Sequence, residues 1–232
     1  MSDGSYNQFC PVSMAAEIIC SRWTLLVVRE LVLGCTRFNE LRRGLPNMSP
    51  ALLSKRLKDL ESAGIVSHTA AEHDPGVFEY RLTEAGTELR PIIEAIGVWG
   101  HRWVTTEATL KNLDANLLMW DIRRNINTDP MPARRNTIQF IFNDRPPSER
   151  NYWLIAEPGK DVDLCLVDPG FDVDLYVSTD LRTMTEIWLG YTAIRPASED
   201  GRLVLTGNSK LATALRAWLK LSAFANFEKK VA

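Results

Sequence analysis

The chain has 232 residues, with 27 Lys and Arg against 29 Asp and Glu, for a formal net charge of −2. Hydrophobic residues make up 45%, charged residues 24% and aromatics 9%, which argues against a disordered chain, a collagen-like sequence and a disulfide-stapled miniprotein. Averaged over the whole chain, the near-zero charge also speaks against a nucleic-acid binder, since such proteins often carry a basic excess.

No run approaches the ~20 apolar residues that a membrane span needs; Leu25–Val28 is followed at once by Arg29. No basic start leads into an apolar stretch, so the expectation is a cytoplasmic protein with no signal peptide and no membrane partner. The cysteines are Cys10, Cys20, Cys35 and Cys165, with no CxxC pair, and the histidines are His68, His73 and His101. That inventory predicts reduced thiols and no metal site. No Gly-rich phosphate loop stands at a usable spacing, so no cofactor is expected.

In chain order, Val12–Ile19 and Trp23–Leu33 are apolar at helical spacing, and Gly34 stops the second helix. Arg37–Arg43 predicts a short helix ended by Gly44-Leu45-Pro46. Ser49-Pro50 opens a third helix, with Ser as N-cap and Pro in the first turn, and Ala63-Gly64 closes it. Residues 65–68 and 77–82 predict two strands around a polar tip at His73-Asp74-Pro75-Gly76. Thr83-Glu84 then opens a long amphipathic helix through Trp103, which Pro91 should kink or break.

Helix, short helix, turn, helix, hairpin is the order of a winged helix-turn-helix. In the third helix, Leu53, Leu57 and Leu60 share one face at i, i+4, i+7. Ala51, Ser54, Lys55 and Lys58 lie opposite: small, hydroxylated or basic side chains suited to a major groove. Arg56 sits to the side, where it can pair with an acid. Residues 36–60 hold Arg37, Arg42, Arg43, Lys55, Arg56 and Lys58 against Glu40 and Asp59, a local excess of four positive charges. Arg81 on the wing strand adds to it. Phosphate affinity depends on this local surface, not on the whole-chain charge. Read as charge alone, the same run is also what a solvated helical face looks like.

Several motifs in order carry a family resemblance: Cys10-Pro11-Val12; Trp23-Thr24-Leu25-Leu26 with Arg29-Glu30-Leu31; Arg37-Phe38-Asn39-Glu40-Leu41; Ser49-Pro50 through Leu60-Glu61 to Gly64-Ile65-Val66; and Tyr80-x-Leu82-Thr83-x-x-Gly86. Over about residues 9–103 the chain resembles the HxlR-type winged-helix regulators, relatives of the MarR group. The resemblance implies a homodimer on a roughly palindromic double-stranded operator. It also implies a recognition helix from Ser49 to Lys58 and a wing over residues 68–81. An apolar stripe of Leu89, Ile92, Ile93, Ile96, Trp99 and Trp103 on the long helix either supplies the dimer contact, on evidence independent of the resemblance, or packs only inside its own monomer. Some members of this family sense oxidants through a Cys just before the Pro, which makes Cys10 either a redox sensor or an unreactive thiol near the dimer interface.

Beyond about residue 112 the grammar changes. A short helix, Ala115–Ile126, leads through a Pro-bearing loop to strands Thr137–Phe142, Tyr152–Ala156, Val162–Val167 and Val173–Ser178. Helix Asp180–Tyr191, strand Arg202–Thr206 and helix Ser209–Phe224 complete the chain. Each strand alternates apolar and polar residues, as in a half-buried sheet. The order over about 114–227 resembles the sterol-carrier-protein type 2 fold, which implies helices on one sheet and an apolar cavity for a hydrophobic small-molecule effector. The predicted fold class is α+β: a DNA-binding and dimerisation domain over 1–111 and a sterol-carrier-like, effector-binding domain over 112–232. Trp120, Phe140, Phe142, Trp153, Met184, Trp188, Tyr191 and Trp218 either line that cavity or fill an ordinary core.

No His follows His101, so a Ser-His-Asp or Cys-His site confined to the second block is excluded. Asp161, Asp163, Asp172 and Asp174 fall on alternating strand positions and read as a solvated face, though carboxylates can also hold a hard cation. The expected protein is a DNA-binding regulator, acting as a repressor, and not an enzyme. Its rival is a carrier of lipids or hydrophobic ligands, or an enzyme-associated protein, whose helical domain contacts other proteins.

Overall fold

The computed structural model describes residues 5–71, 74 and 76–231; the expected tip residues His73 and Pro75 lie outside that set. The chain divides into two compact units, Met1–Gly97 and Val98–Ala232. The border expected at 111/112 is a different line, drawn on composition.

The first unit opens with α1 (Pro11–Ile19) and α2 (Thr24–Val32), followed by α3 (Phe38–Gly44) and α4 (Pro50–Ser62). Pro11 and Pro50 stand at first-turn positions, where the missing N–H costs nothing. The Ser49 hydroxyl accepts the Leu52 N–H at 3.3 Å and caps α4. Gly64, at φ +73°, turns the chain out of α4, and Ile65 N–H returns to Leu60 O at 2.9 Å. Strands β1 (Val66–Ala70) and β2 (Phe78–Leu82) then pair antiparallel, His68 opposite Tyr80.

The core of this unit is aliphatic: Val27, Val28 and Leu31 from α2, Leu41 from α3, Leu53, Leu57 and Leu60 from α4, and Val66 from β1. One charged side chain sits among them. Glu30 is fully buried, and its carboxylate receives Arg29 Nε at 2.9 Å and Nη2 at 2.6 Å. Arg29 Nη2 also donates to Gly44 O at 3.0 Å. A Cβ at position 44 would collide with the Glu30 carboxylate, so glycine is required there by close approach.

The long helix expected from Thr83 is divided. Thr83 caps a single turn, α5 (Glu84–Thr87), and α6 (Arg90–Trp103) begins anew. Pro91 has no N–H to give to the preceding turn, which explains the break.

The second unit contains α7 (Thr106–Thr109), α8 (Ala115–Asn125), β3 (Asn136–Phe142), β4 (Asn151–Ala156), β5 (Asp163–Cys165), β6 (Leu175–Thr179), α9 (Leu181–Trp188), α10 (Ile194–Glu199), β7 (Leu203–Gly207), α11 (Ser209–Thr213) and α12 (Leu215–Trp218). The strands form one sheet in the order β5-β4-β3-β6-β7, antiparallel except for the central β3–β6 pair. One face of this sheet carries Ile138, Phe140, Phe142, Tyr152, Leu154, Leu175, Val177 and Leu203. It packs with Leu118, Met119 and Ile122 of α8, Met184, Ile187 and Trp188 of α9, and Leu211, Leu215 and Trp218 of α11 and α12.

β5 and α9 are shorter than the expected Val162–Val167 and Asp180–Tyr191, and two further elements fall short for identifiable reasons. The Asp174 carboxylate takes the Thr137 N–H at 2.9 Å and Arg134 Nη2 at 2.7 Å, so the β6 ladder starts at Leu175 and not at Val173. The helix expected over Ser209–Phe224 is two short pieces. Trp218 Nε1 donates to Leu211 O at 2.8 Å, and Asn127 N–H donates to Trp218 O at 2.8 Å, so these carbonyls are engaged outside the helical ladder. No single helix among the described residues is long and apolar enough to cross a membrane. Taken together, Pro11–Ile19 and Thr24–Val32 reach that length and apolarity, but they are bent by 83° at their junction.

Candidate nucleic-acid interface

α4 sorts its residues by face as its spacing demands. Leu53, Leu57 and Leu60 are all at 1% exposure or less, whereas Ala51, Lys55 and Lys58 are exposed and Ser54 is half-buried. The buried leucines fix the helix against the unit and leave one rim of small, hydroxyl and ammonium groups facing water. Ser49 is exposed, with its oxygen engaged in the cap.

Arg42 and Arg43 are exposed in the last turn of α3, where cations also complement the helix dipole. Lys55, Lys58 and Arg42 make no ion pair with the described residues. Arg37 and Arg81 stand differently. Arg37 Nη2 lies 3.0 Å from Asp74 Oδ2 and its Nε lies 4.0 Å from Glu79 Oε1, while Arg81 Nη2 is 2.6 Å from Glu79 Oε2. Glu79 therefore serves both arginines, and part of the positive charge counted on the sequence is spent inside the wing. The remaining cationic surface is concentrated on α4 and the end of α3.

Arg56 pairs with an acid, as its position on the wheel suggested: Nη1 lies 2.9 Å from Asp59 Oδ2. Its Nε also donates to Arg22 O at 3.1 Å, tying α4 to the turn between α1 and α2. At that turn Trp23 adopts φ +78°, an uncommon conformation for a residue with a bulky side chain.

The wing has a feature that reading by charge missed. His68 stacks on Tyr80 with ring centroids 4.3 Å apart and planes 4° from parallel, and Phe78 lies 5.1 Å from His68. Burial, with Glu61 nearby, raises the Tyr80 pKa above the ordinary phenol value. The alternation 66/68/70 against 78/80/82 was the available signal. Cys10 occupies the N-cap of α1. Its thiol makes no cap hydrogen bond of ordinary length, but the N–H groups of Ser13 and Val12 hold its pKa below the usual cysteine value.

The residues expected to line an effector cavity fall into separate groups. Phe140, Phe142, Met184, Trp188 and Trp218 belong to the one packed layer between sheet and helices. Trp153 follows Tyr152 on β4 and faces away from that layer. Trp120 carries Arg123 at 4.7 Å and Arg124 at 5.5 Å over its ring. Tyr191 is half-buried beside His101, with centroids 5.4 Å apart. A 460 Å³ open cleft elsewhere in this unit is lined by Thr105, Glu107, Ala108, Leu110, Lys111 and Arg182, and includes none of the eight.

Residues 18–108 match the HxlR-like helix-turn-helix family. The chain is 38% identical over 99 residues to YvaP of Bacillus subtilis, an uncharacterized HTH-type transcriptional regulator; the alignment covers 42% of this chain and 92% of that protein. It is 33% identical over 102 residues to the HTH-type transcriptional regulator sll1512 of Synechocystis, covering 44% and 76%. Among solved structures, the reduced form of the transcriptional regulator YodB from B. subtilis is 31% identical, with 42% of this chain and 96% of that one covered and a TM-score of 0.37.

Proposed function

The chain belongs to the HxlR-like helix-turn-helix family of transcriptional regulators, and from that membership we propose that it works as a homodimeric repressor that reads a palindromic operator with α4. One observation carries the reading. Three leucines lock one face of α4 into the core, and Ala51, Ser54, Lys55 and Lys58 are left on the other, where Lys55 and Lys58 make no ion pair with the described residues. In this reading Ala51 and Ser54 approach base edges, Lys55 and Lys58 reach bases and phosphates, and Arg42 and Arg43 hold the backbone. Ser49, Arg37 and Arg81 stand at the rim and position the duplex. Repression is the simpler sign, since a dimer seated on an operator blocks transcription by occupancy alone.

Residues 112–232 we read as a sterol-carrier-like domain for a hydrophobic effector. A sheet covered by helices on one face supports this, as does an apolar layer between them that includes Phe140, Phe142, Met184, Trp188 and Trp218. An effector that fits one arrangement of the dimer better than the other shifts DNA affinity by that difference.

The test is a binding titration on genomic fragments selected with the purified protein. Lys55→Ala combined with Lys58→Ala is expected to weaken binding by about tenfold or more and to lower the salt slope by about one to two. Wild-type affinity in the folded double variant overturns the assigned face. Repeating the titration with a panel of hydrophobic compounds reads the second domain: at least one is expected to change the affinity, and no change across the panel overturns the effector role.

A further inference from the structure

The last residues of the chain return to the long helix. α6 is continuous from Arg90 to Trp103, and its residues from Val98 onward belong to the second unit. An α-helix leaves its final carbonyls without partners, and the negative end of its dipole lies there. Here the C-terminal tail supplies those partners. Lys229 Nζ donates to His101 O at 3.1 Å and to Val104 O at 2.6 Å, and Lys230 N–H donates to Arg102 O at 2.9 Å. His101, which is buried, donates from Nε2 to Phe227 O at 3.0 Å, and the Arg102 guanidinium lies 5.3 Å over the Phe227 ring.

The same tail is fixed at its other side to the end of α9. Ser222 N–H donates to Trp188 O at 3.0 Å. Gly190, at φ +76°, sits where any Cβ would strike the Ala225 backbone. Lys229 Nζ also donates to the Tyr191 hydroxyl at 3.1 Å and lies 4.7 Å over that ring. One ammonium group thus joins the end of α9, a wall of the apolar layer, to the end of α6.

We infer that Lys229 is a positioning residue for the C-terminal end of α6: through it the sheet unit holds residues 98–104, which carry Trp99 and Trp103, rigid. The inference rests on the proposed DNA-binding dimer, in which α6 supplies the contact between copies. Burial and charge support it together. The Lys229 cation bonds the part-buried His101 carbonyl and the exposed Val104 carbonyl, and such charge-assisted bonds are roughly twice as strong as neutral ones.

The experiment uses the full chain and two variants, Lys229→Met and Lys229→Arg. Met keeps an unbranched apolar stem and removes the donors; Arg keeps the donors. Hydrogen exchange is followed in peptides covering residues 98–104 and, as an internal control for folding, in β3 and β6. Lys229→Met is expected to speed exchange at 98–104 by about tenfold, with the sheet unchanged and the Arg variant close to wild type. Unchanged exchange at 98–104 overturns the clasp whatever the DNA result. Affinity for the selected genomic fragment is then expected to fall about fivefold or more in Lys229→Met and to recover in Lys229→Arg. Faster exchange with undiminished affinity overturns the positioning role. If wild type retains no fragment at any salt, the DNA-binding reading itself fails, and the exchange data distinguish that outcome from failure of the clasp.

Discussion

Cys10 stands at the N-cap of α1 with Pro11 behind it, so the backbone N–H groups of Val12 and Ser13 face its sulfur. These donors stabilise the thiolate more than the thiol, and the Ser13 hydroxyl acts in the same direction. The pH profile of alkylation by iodoacetamide, followed by peptide mass spectrometry, should therefore rise with an apparent pKa below the ~8.5 of free cysteine. A profile that coincides with free cysteine removes the basis for thiol sensing at this position. Arg37, Arg81 and Glu79 show the opposite kind of lesson. Arg37 and Asp74 are 37 positions apart, and no local pattern announces that they meet at 3.0 Å. The charge run on residues 36–60 could be counted from the sequence, but its partial neutralisation by the wing depends on the fold.

Among the elements, those governed by nearest neighbours were the most legible. The cap at Ser49, the leucine face of α4, the turn at Gly64 and the hairpin β1–β2 all follow from spacing and residue type, and the structure forms them where expected. Two of the elements misjudged are ended by a distant group: β6 by Asp174 and Arg134, and the last helix by Trp218 and Asn127. Asp174 also makes the ladder start sensitive to acid. Burial alone would raise its pKa, but the Arg134 side chain and the Thr137 N–H outweigh burial and hold it below the ordinary aspartate value. A carboxylate lowered in this way stabilises the fold fully above its unfolded pKa of about 3.9, and that contribution is lost as pH falls through the lower folded value. Asp174→Asn is expected to lower Tm by about 3 °C at pH 7, a modest cost because Arg134 is half exposed to solvent. The gap between variant and wild type should close below about pH 4. A gap that persists unchanged at pH 3 in thermal melts shows that the carboxylate charge is not its source.

At the scale of the whole molecule, a run of exposed apolar side chains calls for a partner. Phe9 is 99% exposed, no residue of α1 is buried, and Ile92, Ile96, Trp99 and Trp103 stand 45%, 46%, 61% and 52% exposed at i, i+4, i+7, i+11 on α6. Isolated exposed apolar residues are ordinary, but a stripe of about three turns containing two tryptophans is a surface that water disfavours. A second copy of the chain is the occupant that the operator-reading proposal requires, because two recognition helices must be held one helical turn of DNA apart. In that proposal the contact is two-fold and one stripe suffices, since the same face serves both copies. The wild-type chain should therefore sediment as a dimer of its 26.2 kDa subunit at micromolar concentration. Ile96→Glu combined with Trp99→Glu should yield a folded monomer, because two carboxylates cannot be buried against themselves across a two-fold axis. Operator affinity should fall by well over tenfold in that variant, as two half-sites are no longer bound together. A wild-type chain that sediments as a monomer at tens of micromolar while still retaining its selected DNA overturns the dimer and leaves α4 to read a single half-site.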